Sequence, residues 1–212
     1  RMYILAPDVI LYNAVISACE KGARWQDALL MISGMRARRL KPSVISYSAA
    51  ISACQKGAQW QEALGAFSDM RLGRLEPNVI TYNAAMSACE KGALWQEALG
   101  MLEHMRLRHL EPDVISYSEA ISTCEQGAQW HEALRAFSDM LSRRVDPDVI
   151  SYVAAINACV SGTLWPEALG IHSDMRSRRC ESNAITYSVA ISACEKGAQW
   201  QEALGLHLEV QG

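Results

Sequence analysis

Seven cysteines and five histidines are the residues with which this 212-residue chain would do metal or nucleophile chemistry, and their spacing argues against both. No Cys-x-x-Cys pair exists. Cys19, Cys54, Cys89, Cys124, Cys159 and Cys194 stand 35 residues apart, without the close ligand pairs that zinc sites use. His104, His109, His131, His172 and His207 fall at scattered places, with no His-Glu-x-x-His and none in register with a Ser or Cys nucleophile. Carboxylates such as Glu62 and Glu97 recur two residues after a tryptophan, where a helix start favours acid without acid–base chemistry. The expected inventory is therefore no catalytic residue, no metal ligand, no cofactor and no enzymatic activity. The periodic cysteines read as small buried apolar residues in a reducing compartment, and Cys180, outside the pattern, as an exposed one.

The interval of 35 is informative in itself. Trp25, Trp60, Trp95, Trp130, Trp165 and Trp200 account for every tryptophan, and Tyr12, Tyr47, Tyr82, Tyr117, Tyr152 and Tyr187 for every tyrosine but Tyr3. Gly22, Gly57, Gly92, Gly127, Gly162 and Gly197 follow the same period, as do the prolines at 7, 42, 77, 112 and 147. The chain divides into repeats 9–43, 44–78, 79–113, 114–148 and 149–183, a partial repeat 184–212, and residues 1–8 as the tail of an earlier unit, all in a single array over 1–212.

Two helices are readable in each window. Tyr12, Ile16 and Cys19 lie at i, i+4, i+7 on the first, which follows a Pro-Asp, Pro-Ser or Pro-Asn pair and closes on Lys21-Gly22, with the glycine that helix C-termini prefer. Trp25, Ala28, Leu29, Ile32 and Met35 stripe the second. Pro166, directly after Trp165, fixes where that helix starts, because proline is tolerated only near the first helical position. One hairpin cannot bury two apolar faces, so the units must stack into an all-α superhelical solenoid of helix-turn-helix repeats, with the tryptophans in its core. Half the residues are hydrophobic, which suffices for such a core, yet no apolar run approaches the ~20 residues a membrane span needs. Twenty Lys and Arg against 23 Asp and Glu give a net charge of −3, so any nucleic-acid binding must be local.

The unit VITYNAAMSACEKGALWQEALGMLEHMRLRHLEPD at 79–113 resembles the pentatricopeptide repeat (PPR) family, P-type repeats of 35 residues, in its early Tyr-Asn, central Gly, Glu-Ala-Leu, late Met and final Pro-Asp. The tetratricopeptide repeat has a period of 34 and a tryptophan in its first helix; here the tryptophan opens the second. The resemblance covers essentially the whole chain and implies a right-handed superhelix, an organellar location in chloroplast or mitochondrion, and a role in RNA processing, stabilisation or translation.

The resemblance also implies recognition of single-stranded RNA, one base per repeat, by the fifth and last residues of each unit. Those pairs are Asn13/Ser43, Ser48/Asn78, Asn83/Asp113, Ser118/Asp148 and Val153/Asn183, with Ser188 lacking its partner. The family's pairing rules suggest C (or U), A, U and G for the first four, and no base where Val153 offers no hydrogen bond. Ile10, Ile45, Ile80, Ile115, Ile150 and Ile185 correspond to the aliphatic residues that sandwich bases. Lys21, Lys56, Lys91 and Lys196 match positions that meet phosphate, and Gln126 and Ser161 break that series. Asp, Asn and Ser before a helix are equally N-caps, and isoleucines are commonly core; exposure of the isoleucines separates the two accounts. The alternative function is a scaffold subunit whose partners are the proteins of a large organellar complex. If four lysines meet phosphate, RNA affinity falls with salt at a log–log slope of about −3.

Overall fold

A computed structural model describes residues 8–178, 180 and 183–211, the side chains of 209–211 excepted. Of the tail expected at 1–8, all but Asp8 lies outside the described residues. Twelve α-helices and no strand occur among those described: α1 (Val9–Lys21), α2 (Trp25–Ala37), α3 (Val44–Lys56), α4 (Trp60–Leu72), α5 (Val79–Lys91), α6 (Trp95–Leu107), α7 (Val114–Gln126), α8 (Trp130–Ser142), α9 (Val149–Ser161), α10 (Trp165–Ser177), α11 (Ala184–Lys196) and α12 (Trp200–Gln211). The fold class is all-α, in hairpins repeated every 35 residues, as the periodicity requires.

Local chemistry sets both ends of the first helix in each hairpin. Asp8, Ser43, Asn78, Asp113, Asp148 and Asn183 are extended N-caps whose side chains accept the backbone N–H three residues on. At the other end Gln59 N–H donates to Cys54 O (2.9 Å) and Ala58 N–H to Gln55 O (3.0 Å), the paired bonds of a Schellman closure. The left-handed residue of that closure is Ala58 (φ +55°), whereas Gly57 keeps φ −80°, and Ala23, Ala93, Ala128, Thr163 and Ala198 repeat the arrangement. The periodic glycine is therefore not the residue that reverses the chain. Pro166 sits in the first turn of α10, where its missing N–H has no helical partner to lose.

The glycines are required by space. A Cβ on Gly57 would lie 2.6 Å from Trp25 Cδ1, one on Gly162 2.8 Å from Trp130 Cδ2, and one on Gly197 2.5 Å from Trp165 Cδ1. Trp25, Trp130 and Trp165 each cover the first-helix terminus of the next repeat, which explains why both residue types share the period. The tryptophans are consequently half-buried rather than core, and Trp200 is exposed. An indole lying over a helix end keeps one edge in solvent.

The described chain forms two compact units, one comprising the chain through Gly92 with Met105–Glu111, the other Ala93–His104 with the chain from Pro112 on. In the first, α1 packs on α3 and α3 on α5, while α2 and α4 form a second layer, each against its own first helix and the next. The second unit repeats this with α7, α9 and α11 against α8, α10 and α12. Alanines at the crossings (Ala28, Ala63, Ala133, Ala168) are fully buried and let backbones approach beside Ile51, Met70, Ile121 and Met140. Tyr82 meets Phe67 edge to face at 5.4 Å, and Tyr152 meets Phe137 at 5.6 Å. The Tyr117 and Tyr152 hydroxyls donate to Asp139 (2.6 Å) and Asp174 (2.7 Å), so neither buried phenol is left unsatisfied.

Two substitutions separate crowding from helix propensity. Gly162→Ala should destabilise by about 1–3 kcal/mol because the new methyl meets the Trp130 ring. Gly170→Ala, in mid-α10 with nothing within 4 Å, should stabilise by about 0.5–1 kcal/mol. Urea unfolding followed by far-UV circular dichroism reads both, and equal effects at the two positions would refute the steric assignment.

Candidate nucleic-acid interface

The second residue of each first helix points outward. Ile10, Ile45 and Ile80 in the first unit, and Ile115, Ile150 and Ile185 in the second, are 54 to 77% exposed. A core role is thereby excluded for all six. Within each unit the first helices lie side by side, roughly 8–10 Å apart as packed helices do, so the isoleucines form a row of three. Beside each stands the polar cap that starts its helix.

The cap constrains what its side chain shows to solvent. A backbone N–H can only donate, so the atom facing it must be oxygen. Asn78 Oδ1 accepts from Thr81 N (2.9 Å) and Thr81 Oγ1 (2.8 Å), and its amide NH2 is turned outward. Asn183 Oδ1 accepts from Ile185 N and Thr186 N, with the same consequence. In Asp148, Oδ1 accepts from Ser151 N (2.8 Å) and Ser151 Oγ (2.7 Å) and lies 3.0 Å from Ser118 Oγ, which leaves Oδ2 as the acceptor these groups do not take. Asp113 Oδ1 accepts from Ser116 N and Oγ, both at 2.9 Å. Ser43 caps with its hydroxyl, 3.4 Å from Ser46 N. Capping and presentation of a hydrogen-bonding group are thus compatible in one side chain.

Fifth residues sit deeper. Ser46 Oγ donates to Asn13 Oδ1 at 2.5 Å. Ser48 Oγ lies 2.8 Å from Val44 O and 2.6 Å from Thr81 Oγ1. Ser118 Oγ lies 2.8 Å from Val114 O and 2.7 Å from Ser151 Oγ, and the residue is only 4% exposed. Asn83 and Val153 are half-buried, and Ser188 is exposed. In three repeats the expected partners come together through a third side chain: Asn13 and Ser43 through Ser46, Ser48 and Asn78 through Thr81, Ser118 and Asp148 through Ser151. These third-residue hydroxyls, fully buried, escaped the sequence reading. Their signal was there: Ser or Thr occupies the third place of every repeat after the first.

The lysines carry less charge to solvent than their number suggests. Lys56 Nζ pairs with Glu20 Oε1 of the preceding repeat at 2.9 Å, and Lys91 Nζ lies 3.5 Å from Glu90 Oε2. Lys196 Nζ donates to Val160 O at 3.4 Å, and Lys21 is exposed. All four sit at helix C-termini, where cations are favoured regardless of any ligand.

Models described as the PPR repeat family match residues 7–56 and 77–126, one described as a pentatricopeptide repeat domain matches 55–91 and 135–196, and one described as a PPR repeat matches 185–212. The chain belongs to the pentatricopeptide repeat family. Among solved structures it is similar to the pentatricopeptide repeat protein PPR10 from maize, at 26% identity and TM-score 0.66 over 95% of this chain and 29% of that one. PPR10 in complex with an 18-nt psaJ RNA element matches at 21% and 0.75, over 94% and 29%. The PPR domain of Arabidopsis thaliana protein-only RNase P 1, in complex with tRNA, matches at 15% and 0.80, over 88% and 98%. The chain thus spans about three tenths of the length of PPR10. No curated protein matches it.

In this pentatricopeptide repeat chain the cysteines are packing residues. Cys54, Cys89, Cys124, Cys159 and Cys194 are buried and Cys19 is half-buried. Cys180, expected to be exposed, is half-buried because it packs against the core of the second unit. No group of three or more His, Cys, Asp or Glu able to hold a metal occurs among the described residues, and no helix there is long and apolar enough to cross a membrane. Burial, reinforced by Glu62, Glu132 and Glu167 respectively, pushes the Cys54, Cys124 and Cys159 thiols from 9.0 up to about 11, about 12 and about 11. Below pH 9 these thiols are neutral whether the chain is folded or not. Above it the unfolded chain ionises first, so stability should be lost progressively between pH 9 and about 12. A Cys124→Ala, Cys159→Ala double variant should lose less across that interval in urea titrations at stepped pH, and an unchanged slope would disprove the linkage.

Proposed function

We propose that this chain binds single-stranded RNA in an extended form, one base per repeat, each base held between exposed isoleucines and read by the cap and fifth residues. The observation that carries the reading is the exposure of all six isoleucines beside polar caps, of which the Asn and Asp side chains keep a second polar atom not used by the cap. An aliphatic side chain left in water at every repeat is a standing cost that covering by a flat apolar ring removes. The RNA bound by PPR10 and the tRNA bound by the RNase P 1 domain belong to proteins of the same fold, which supports the choice of ligand.

Base preference follows from the outward atoms. The Asn78 amide donates, which suits the N1 acceptor of adenine or the N3 acceptor of cytosine. Asp148 Oδ2 accepts, which suits the N1–H of guanine or the N3–H of uracil. Fifth residues sort ring size: Ser48 and Ser118 leave room for a purine, and the longer Asn13 and Asn83 reach a pyrimidine. The preferred core is then C (or U), A, U and G. With Lys56 and Lys91 engaged by glutamates, affinity for so short a core is micromolar and the salt slope shallower than about −3. The setting proposed is transcript handling in a chloroplast or mitochondrion. The same neutralised lysines favour a second reading, a scaffold contact with protein subunits of an organellar complex.

Fluorescence anisotropy with labelled CAUG-containing and scrambled oligoribonucleotides at two salt concentrations decides between them. Preference for CAUG is expected, Ile80→Ala should weaken binding by about fivefold with unfolding unchanged, and Asn78→Asp should turn the second preference from A to G. Equal affinity for both oligoribonucleotides would end the base-reading proposal and leave the scaffold reading.

A further inference from the structure

We propose that the third-residue hydroxyls Ser46, Thr81 and Ser151 are positioning residues that couple the two base-facing side chains of the preceding repeat into one unit. This rests on the RNA reading above and adds to it a residue that touches no base.

Each hydroxyl is fully buried and has a single hydrogen, yet two side chains compete for it. Two hydroxyl hydrogens serve three contacts: Thr81 Oγ1 lies 2.8 Å from Asn78 Oδ1 and 2.6 Å from Ser48 Oγ, and Ser48 Oγ lies 2.8 Å from Val44 O. The hydroxyl pair is therefore bonded from Ser48 when Thr81 serves the cap and from Thr81 when Ser48 serves Val44. Ser151 stands likewise between Asp148 and Ser118, whose own hydroxyl also reaches Val114 O. In the first repeat the cap is a serine, Ser46 gives its hydrogen to Asn13 at 2.5 Å, and its oxygen accepts from Ser43 N at 3.0 Å. A serine fifth residue with an amide or carboxylate cap, and an asparagine fifth residue with a hydroxyl cap, are thus each joined through one buried hydroxyl.

The fifth repeat supplies an internal comparison. Val153 can neither give nor take a hydrogen bond, and there the Thr186 hydroxyl turns to the main chain, donating to Asn183 O at 2.9 Å instead of to the side chain. The Asn183 amide is then held by backbone N–H groups alone, at φ −123° where the other caps lie between −93° and −97°. The backbone angle does not follow the hydroxyl, since Asp8, with Leu11 at the third place, also lies at −94°; what changes beside Val153 is the acceptor to which the third hydroxyl gives its hydrogen.

Thr81→Val removes the hydroxyl and keeps the branched shape, while the backbone N–H of residue 81 still caps against Asn78 and Ser48 can bond Val44 O. Measured by competition anisotropy with CAUG oligoribonucleotides varied one base at a time, the variant should lose about five- to tenfold of its preference for A over C and G at the second base only. Thr81→Ser should keep that preference. If the parent protein prefers A there and Thr81→Val prefers it equally, the coupling is refuted while the RNA reading stands. A uniform loss at all four bases would show a structural role only and likewise overturn it. A parent protein indifferent to the second base sinks the reading and the coupling together.

Discussion

A hairpin of two 13-residue helices has more apolar surface than it can cover alone, and the contact that settles where the next hairpin goes is an indole lying on a bare helix end. Trp25 over Gly57, Trp95 over Gly127, Trp130 over Gly162 and Trp165 over Gly197 repeat one interlock. It is tight enough to reject a methyl group, so it fixes register as well as proximity. The buried alanines at helix crossings and the tyrosines wedged between hairpins depend on that register. So does the side-by-side alignment of first helices that sets cap beside cap.

The alignment gives polar residues at the helix starts their geometry. A side chain used to satisfy an orphan N–H loses its freedom to rotate, and what it shows to solvent is decided by which atom the helix has taken. Charge contributes less. Glutamates beside or across from the lysines hold the local field near neutral, in keeping with a chain whose net charge is −3.

Much of this was legible before any coordinates. The period, both helices and their starts followed from Trp, Tyr, Gly and Pro at fixed spacing, and Pro166 located α10 to within a residue. The isoleucines could be placed on the chain but not on a surface, since an aliphatic residue at helical spacing looks the same inside and out. The glycines were given a conformational reason because helix ends favour them; a clash with a side chain 32 residues earlier has no local signature. The tryptophans were assigned to the core because residue type predicts average burial, while their place over a helix end leaves an edge wet. Third-residue hydroxyls were overlooked because Ser and Thr are common in first turns, and only coordinates show Thr81 reaching Ser48 in the hairpin before it.

Because the last residue of each repeat must also start the following helix, its permitted identities are those few that nucleate one: Ser, Thr, Asn and Asp. Whatever lies against these helix starts, the vocabulary addressed to it is bounded by helix initiation. Retargeting within those four is cheap, whereas a Gln, Glu or Arg with greater reach would fray the scaffold that displays it.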